Sequence, residues 1–200
     1  MGHAGMAATA VRYLRSVGAP TTAEPVTALP RPRLRAVGDD ERCPVDPGEF
    51  RAVLGHFASG VTVVTAAAPD GPAGFACQSF SSLSLDPPLV AFMVARTSTT
   101  WPRIAAAGAF CVNVLGAEQA DLCRSFAVSG GDKFAGVRFD RAPASGAPRL
   151  TGTRAWIDCA VHAVHTGGDH LIVVGRVDAL GAAEDGAPLL FHRGRFGTFT

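Results

Sequence analysis

Between Gly74 and Val90 the chain carries Gln78, Ser79, Ser81, Ser82 and Ser84 in quick succession, after an apolar start and before Pro87-Pro88. A strand that opens into hydroxyl, amide and backbone N–H groups can surround a polyol and a phosphate with neither metal nor lysine. Closely spaced neutral donors satisfy phosphate oxygens at short range. A Ser-rich turn at a barrel rim has the same composition, and this segment alone leaves both readings open. A second polar cluster, Arg96-Thr97-Ser98-Thr99-Thr100-Trp101-Pro102, follows an apolar strand and precedes a helix. Hydroxyls and unpaired amides at a helix N-terminus attract anions, although ordinary capping by Ser98 or Thr99 accounts for them equally well. Two such clusters at separate strand ends point to one phosphorylated ligand bridging both.

Two further groups could do chemistry. Gly168-Asp169-His170 opens the apolar strand that begins at Leu171, so His170 sits at a barrel mouth. It is either a neutral donor beside a redox ring or carboxamide, or a turn histidine capping its own loop. The run Leu189-Leu190-Phe191-His192-Arg193-Gly194-Arg195-Phe196 sets two guanidinium groups and an imidazole between aromatics. It suits a second phosphate-bearing ligand, or simply a surface strand with solvated arginines. Cys159, His162 and His165 invite a zinc reading, but residues three apart on a strand face opposite ways, so the two histidines cannot share one ion.

The elements that position these groups read mainly as strands. Asp46-Pro47-Gly48-Glu49 has the spacing of a helix start. Phe50, Val53, Leu54 and Phe57 then make one apolar stripe ending at Ser59-Gly60. Val61–Thr65 is β-branched throughout and predicts a strand. The turn Pro69-Asp70-Gly71-Pro72 returns it as a hairpin over Ala73–Phe80. Further strands are expected at Leu89–Val94, Phe110–Val114, Ala155–Val164 and Leu171–Leu180, the last two joined at Thr166-Gly167-Gly168-Asp169. Short helices are expected over Thr100–Ala107, with Trp101, Ile104 and Ala105 on one face, and over Ala117–Phe126, with Leu122 and Phe126 inward. Six or so hairpin-linked strands argue for a closed or partly open antiparallel barrel.

Composition narrows the class. Of 200 residues, 48% are hydrophobic and only 18% charged, below the usual quarter or so; apolar surface covered by a partner subunit is the expected reason. A net charge of +1 gives no case for nucleic acid. No apolar run is long enough for a membrane span. The five cysteines form no C-x-x-C pair and mostly sit in apolar runs, which suits a soluble, cytoplasmic protein. Residues 1–44, broken by Pro20, Pro25, Pro30 and Pro32, read as a disordered extension or an upstream mis-start, leaving 45–200 as the folded domain. G-x-G-x-x-G after a strand, the P-loop signature and G-x-S-x-G are all absent.

Taken in order, these segments resemble the short-chain flavin reductases that serve two-component flavin monooxygenases. The likeness runs from about Phe50 to Gly194. It includes Gly60–Thr65, Gly74–Pro88, Thr97–Trp101, Phe110–Leu115, Asp132-Lys133-Phe134, Gly168–His170 and Leu189–Phe191. The resemblance implies a flavin-binding split β-barrel with a few short flanking helices, usually a homodimer, that oxidises NADH or NADPH and delivers reduced FMN or FAD to a partner oxygenase. It implies flavin contacts at Ala73, Gly74, Phe75, Ala76, Gln78, Ser79, Met93, Val94, Ala95, Thr99, Thr100, Ser125 and Phe126. His170, with Phe191, His192, Arg193 and Gly194, matches the nicotinamide nucleotide side, and His170 is the candidate catalytic residue. Many members have Tyr where His192 stands. Rival readings are a tight FMN-binding oxidase of the pyridoxamine-phosphate-oxidase type and a flavin binder without turnover.

Overall fold

The computed structural model describes residues 45–198, so the proposed extension over 1–44 lies outside the described residues. The first helix, α1, spans Pro47–Leu54, and Asp46 caps it by accepting from the Gly48 and Glu49 N–H groups at 2.8 and 3.0 Å. It ends earlier than the predicted Ser59-Gly60, because the Gly55 N–H already closes on the Arg51 carbonyl at 2.9 Å. Its apolar stripe does not enter the core: Phe50, Val53, Leu54 and Phe57 are 55, 61, 55 and 81% exposed.

Strands β1 (Ser59–Gly60), β2 (Thr62–Ala68), β3 (Gly71–Cys77), β4 (Ser81–Leu85) and β5 (Pro88–Ala95) follow. Next come α2 (Trp101–Ala107), β6 (Ala109–Val114), a 3-10 turn at Ala117–Gln119 and α3 (Ala120–Ala127). Strands β7 (Phe139–Arg141), β8 (Pro148–Leu150), β9 (Ala155–Gly167), β10 (His170–Ala182), β11 (Leu189–His192) and β12 (Arg195–Thr198) complete the described chain. The main sheet has seven strands in the order β3-β2-β6-β9-β10-β5-β4, with β1-β11-β12 and β7-β8 as smaller sheets. Every pairing within them is antiparallel.

The main sheet curls until β3, at one edge, approaches β5. Phe75 on β3 lies 6.0 Å, ring to ring, from Phe92 on β5. The edges are not paired to each other, which is a split barrel rather than a closed one. Phe92 is fully buried at its centre, edge-on to Phe110 at 5.2 Å and to Trp101 at 6.1 Å. Strand β2 shows why both its faces are apolar: Val64, Ala66 and Ala68 point into this core, while Val63 and the neighbouring Val61 pack with Leu115, Cys123 and Phe126 beneath α3. In α2, Trp101 and Ile104 are buried as predicted, but Ala105 is exposed and Ala107 makes the further contact. Leu122 is half-buried and Phe126 fully buried, both against the second core. The hairpin that was read as reaching Phe80 leaves the sheet at Cys77, and the serines after it form β4 at the opposite edge.

Candidate functional site

Where β3 leaves the sheet, its last residues face the outer side of β5 across a cavity of about 630 Å³. Strand alternation sorts β5: Val90, Phe92 and Val94 are buried, while Met93 is exposed and Ala95 half-exposed. Val94 can therefore offer only main-chain groups to a ligand. The antiparallel register sets His170 beside Ala95 and Ile172 beside Met93, bringing the start of β10 to the same rim. The loop after β5 contributes Thr99 and Thr100, α3 contributes Phe126, and β11 contributes Phe191. Twelve of the expected contacts are thus brought together: Phe75, Ala76, Gln78, Ser79, Met93, Val94, Ala95, Thr99, Thr100, Phe126, His170 and Phe191.

Ala73 and Gly74 line an adjoining cavity of about 710 Å³, which shares Thr99, Thr100 and Lys133 with the first. Gly74 has no side chain, which leaves space beside its backbone. In the structure that space holds protein: a Cβ there would stand 2.8 Å from Phe126 Cε1 and 3.1 Å from the Val64 carbonyl. The Phe126 ring is fully buried between Gly74 and Phe134, so it shapes the wall and offers no ring surface. Ser125 is not part of either lining. Its hydroxyl donates to the Asp121 carbonyl at 3.1 Å, on the exposed side of α3.

Ser79 was expected to donate to ribityl or phosphate oxygens. Its hydroxyl instead donates to the Met93 carbonyl at 3.0 Å and accepts from the Met93 N–H at 2.8 Å. Strand β4 pairs with β5 only as far as Ser81–Ala91, and Ser79 takes its place at Met93. The single hydroxyl proton is used, so Ser79 can still accept from a ligand but not donate to it. Of the amides expected to attract an anion, those within the first turn of α2 are taken. Ser98 Oγ accepts from the Trp101 N–H at 3.2 Å, Pro102 has no N–H, and the Arg103 N–H bonds the Thr100 carbonyl at 3.1 Å. Ser98 thus provides a capping bond, and Thr99 and Thr100 of the same loop line the cavity.

His192 ends β11, Arg193 and Gly194 form the turn to β12, and all three lie outside this cavity. Arg193 and Gly194 face α1 across a separate apolar cleft of about 860 Å³, bordered also by Gln78 and Phe191. The Arg193 N–H donates to the Gly55 carbonyl at 2.9 Å, and the His192 ring lies 6.3 Å from His56, edge to face. Residues about a hairpin turn project differently from those on its strands, so one run in sequence divides between two clefts.

Two cations escaped the sequence reading. Lys133 donates to the carbonyls of Gly74 at 3.4 Å and Phe126 at 3.1 Å, and burial lowers its pKa. Being the chain's single lysine, within Asp132-Lys133-Phe134, was the signal available for it. Arg103 grips Asp70 Oδ1 through Nε and Nη2 at 3.0 and 2.8 Å, and that bond holds the Asp70 carboxyl below its usual pKa. Nothing in the local sequence of α2 marks it. At the rim, His170 Nδ1 lies 2.7 Å from Asp169 Oδ1, and this bond lowers the Asp169 pKa. The cavity-lining thiols Cys77 and Cys123 have raised pKa values through burial, so they stay protonated and act as apolar wall.

An apolar slot between β3 and β5, with hydroxyls, an amide and one ammonium at its end, fits an aromatic ring carrying a polyol and a phosphate. Comparison with known proteins agrees. The reductase subunit HsaB of a flavin-dependent monooxygenase from Rhodococcus jostii (strain RHA1) is 49% identical over 152 residues, 76% of this chain and 77% of that protein. A flavin reductase of Pseudomonas putida is 49% identical over 159 residues, covering 79% of this chain and 93% of its own. Among solved structures, the Streptomyces globisporus NADH:FAD oxidoreductase SgcE6, in complex with NAD and FAD fragments, matches with a TM-score of 0.74 and 38% identity over 78% of this chain and 96% of that one. The flavin reductase like domain model matches residues 54–200, and the chain belongs to that family.

Proposed function

We propose that this protein is an NAD(P)H:flavin oxidoreductase that reduces FMN or FAD and supplies the reduced flavin to a partner flavin-dependent monooxygenase. The observation that carries the reading is the cavity between β3 and β5, where apolar walls meet neutral donors and a single ammonium. The residues lining it would hold a flavin, and the redox chemistry with the nicotinamide would be the flavin's. The protein's own work is to orient and to exclude water. Phe75, Ala76 and Met93 give the apolar faces, main-chain groups of Met93–Ala95 present fixed donors and acceptors, and Thr99, Thr100 and Gln78 hydrogen-bond the polyol. Lys133 balances the phosphate charge. His170, oriented by Asp169, is proposed to position the nicotinamide carboxamide at the rim. Hydride transfer itself requires no general base, so His170 is assigned a positioning role.

Affinity built mainly on neutral contacts suits a flavin that must leave again. The apolar stripe of α1 is proposed to be covered by a second copy of the chain, giving a homodimer. The four described cysteines are free and buried, which suits a reducing cytoplasm. Among the described residues, no helix is long and apolar enough to cross a membrane. The test is oxidation of NADH and NADPH by the full-length protein, freed of flavin, with and without added FMN or FAD. Turnover should depend on added flavin. A protein that keeps FMN through purification and needs none added, or that binds flavin without oxidising either nucleotide, would exclude the reductase reading.

A further inference from the structure

We infer that the cavity adjoining the flavin slot holds the adenosine diphosphate end of a flavin dinucleotide, making this reductase selective for FAD over FMN; the inference rests on the flavin-reductase reading. The two spaces, about 630 and 710 Å³, meet at Thr99, Thr100 and Lys133, so one ligand can run through both. The second space is large enough for a nucleotide on its own, and FMN would leave most of it to water. Its room comes from missing side chains. Gly71, Gly130 and Gly131 have φ of 115, 81 and 71°, and a Cβ on any of them would meet nothing within 4 Å.

The lining suits each part of an adenosine diphosphate. Lys133 stands at the entrance, where the phosphates would pass, with its charge already partly stripped of water. Arg103 lies further along; Asp70 takes its Nε and Nη2, leaving Nη1 to reach a phosphate oxygen. Asp70 and Asp132 also line the space, and their carboxylates can accept from ribose hydroxyls. Asp70 is paired with Arg103, and Asp132 Oδ1 accepts from the Phe134 N–H at 3.0 Å while the Lys133 ammonium lines the same space, so the lining carries equal numbers of positive and negative side chains. Phe134, half-buried, supplies an aromatic surface for the base.

The experiment measures dissociation constants of the full-length protein for FAD, FMN and riboflavin by quenching of flavin fluorescence, with ADP as competitor. FAD is expected to bind at least about tenfold more tightly than FMN. ADP should displace FAD while leaving FMN bound, and Arg103→Gln should pull the FAD-to-FMN affinity ratio towards one. Equal affinities for the two flavins in the unmodified protein would overturn the inference. So would ADP that competes with NADH in turnover yet leaves FAD in place, since the space would then serve the nicotinamide nucleotide. The ADP competition uses the unmodified protein and does not depend on the variant folding. If FAD and FMN bind equally but both are reduced by NAD(P)H, this inference fails and the reductase reading stands. If neither is reduced, the reductase reading itself fails.

Discussion

Lys133 concentrates the electrostatics of the site in one side chain. Burial alone lowers its pKa below the ordinary 10.5. Between the folded and unfolded values the unfolded chain binds the extra proton, so stability should rise with pH across that window and the charged lysine is a cost at neutral pH. Binding of a phosphate runs the other way, because the anion favours the protonated amine. FMN affinity should be full below the folded pKa of Lys133 and fall as pH rises through it, beginning below the usual lysine range. Riboflavin has the same ring without the phosphate, so it corrects for titration of the flavin itself. Lys133→Gln should weaken FMN by about tenfold, or ~1.4 kcal/mol, and remove that alkaline limb; an unaltered FMN profile would take Lys133 away from the phosphate. His170 is proposed to serve the other substrate. His170→Ala should raise KM for the reduced nicotinamide by about tenfold, with a much smaller change in flavin affinity. Equal losses for both ligands would mean that the Asp169–His170 contact only holds the rim together.

Strands and helices were legible wherever burial imposes a pattern. Val61–Thr65 is buried on both faces and reads as β-branched throughout; α2 is marked by Trp101 and Ile104, and the β9–β10 hairpin by Gly167-Gly168. Strand β4 was not legible. It is an edge, exposed at Ser81, Ser82, Leu83 and Leu85, and held to β5 by backbone pairing that asks nothing of its side chains. The same difference explains the site. Rim residues set by strand register lie together, whereas the bonds and packing that Ser79, Gly74 and Phe126 make within the fold were not legible, because composition does not reveal which polar or small residue the fold itself uses. Asn113, fully buried, donates to the Val63 carbonyl and Thr65 Oγ1 at 3.1 Å and accepts from the Leu150 N–H at 2.7 Å. These bonds pin the β7–β8 hairpin to the barrel. Close approach is equally invisible in sequence: a Cβ on Gly175 of β10 would stand 2.4 Å from Phe110 Cζ and 3.2 Å from Cys159 Cβ. Gly175→Ala should therefore cost about 1–3 kcal/mol by overpacking beneath the barrel's aromatic centre. A denaturant midpoint unchanged from the unmodified protein would show that Phe110 moves aside freely.

At the scale of the whole molecule, surface chemistry links the proposed assembly to the candidate site. Only 18% of the residues are charged, yet α1 and the turn after it expose Phe50, Val53, Leu54 and Phe57 together. Such a patch at neutral pH is expected to be covered, and a second copy of the chain is the proposed cover. A stable interface removes about 1,200–2,000 Å² from water, more than this stripe alone provides, so neighbouring surface must join it. The cleft beside α1 shares Gln78 and Phe191 with the proposed flavin cavity. Whatever settles against α1 then also closes one side of the flavin's surroundings, and dissociation should loosen flavin binding even though no site residue has changed. Sedimentation equilibrium should find a dimer at micromolar concentration. Leu54→Ser combined with Phe57→Ser should shift it towards monomer and weaken flavin binding in proportion to the monomer formed. These two side chains are exposed in the single chain, so the double variant should keep its fold, checked by circular dichroism. A folded double variant that remains fully dimeric would place the interface elsewhere, and a monomer that binds flavin as tightly as the parent would uncouple assembly from the site.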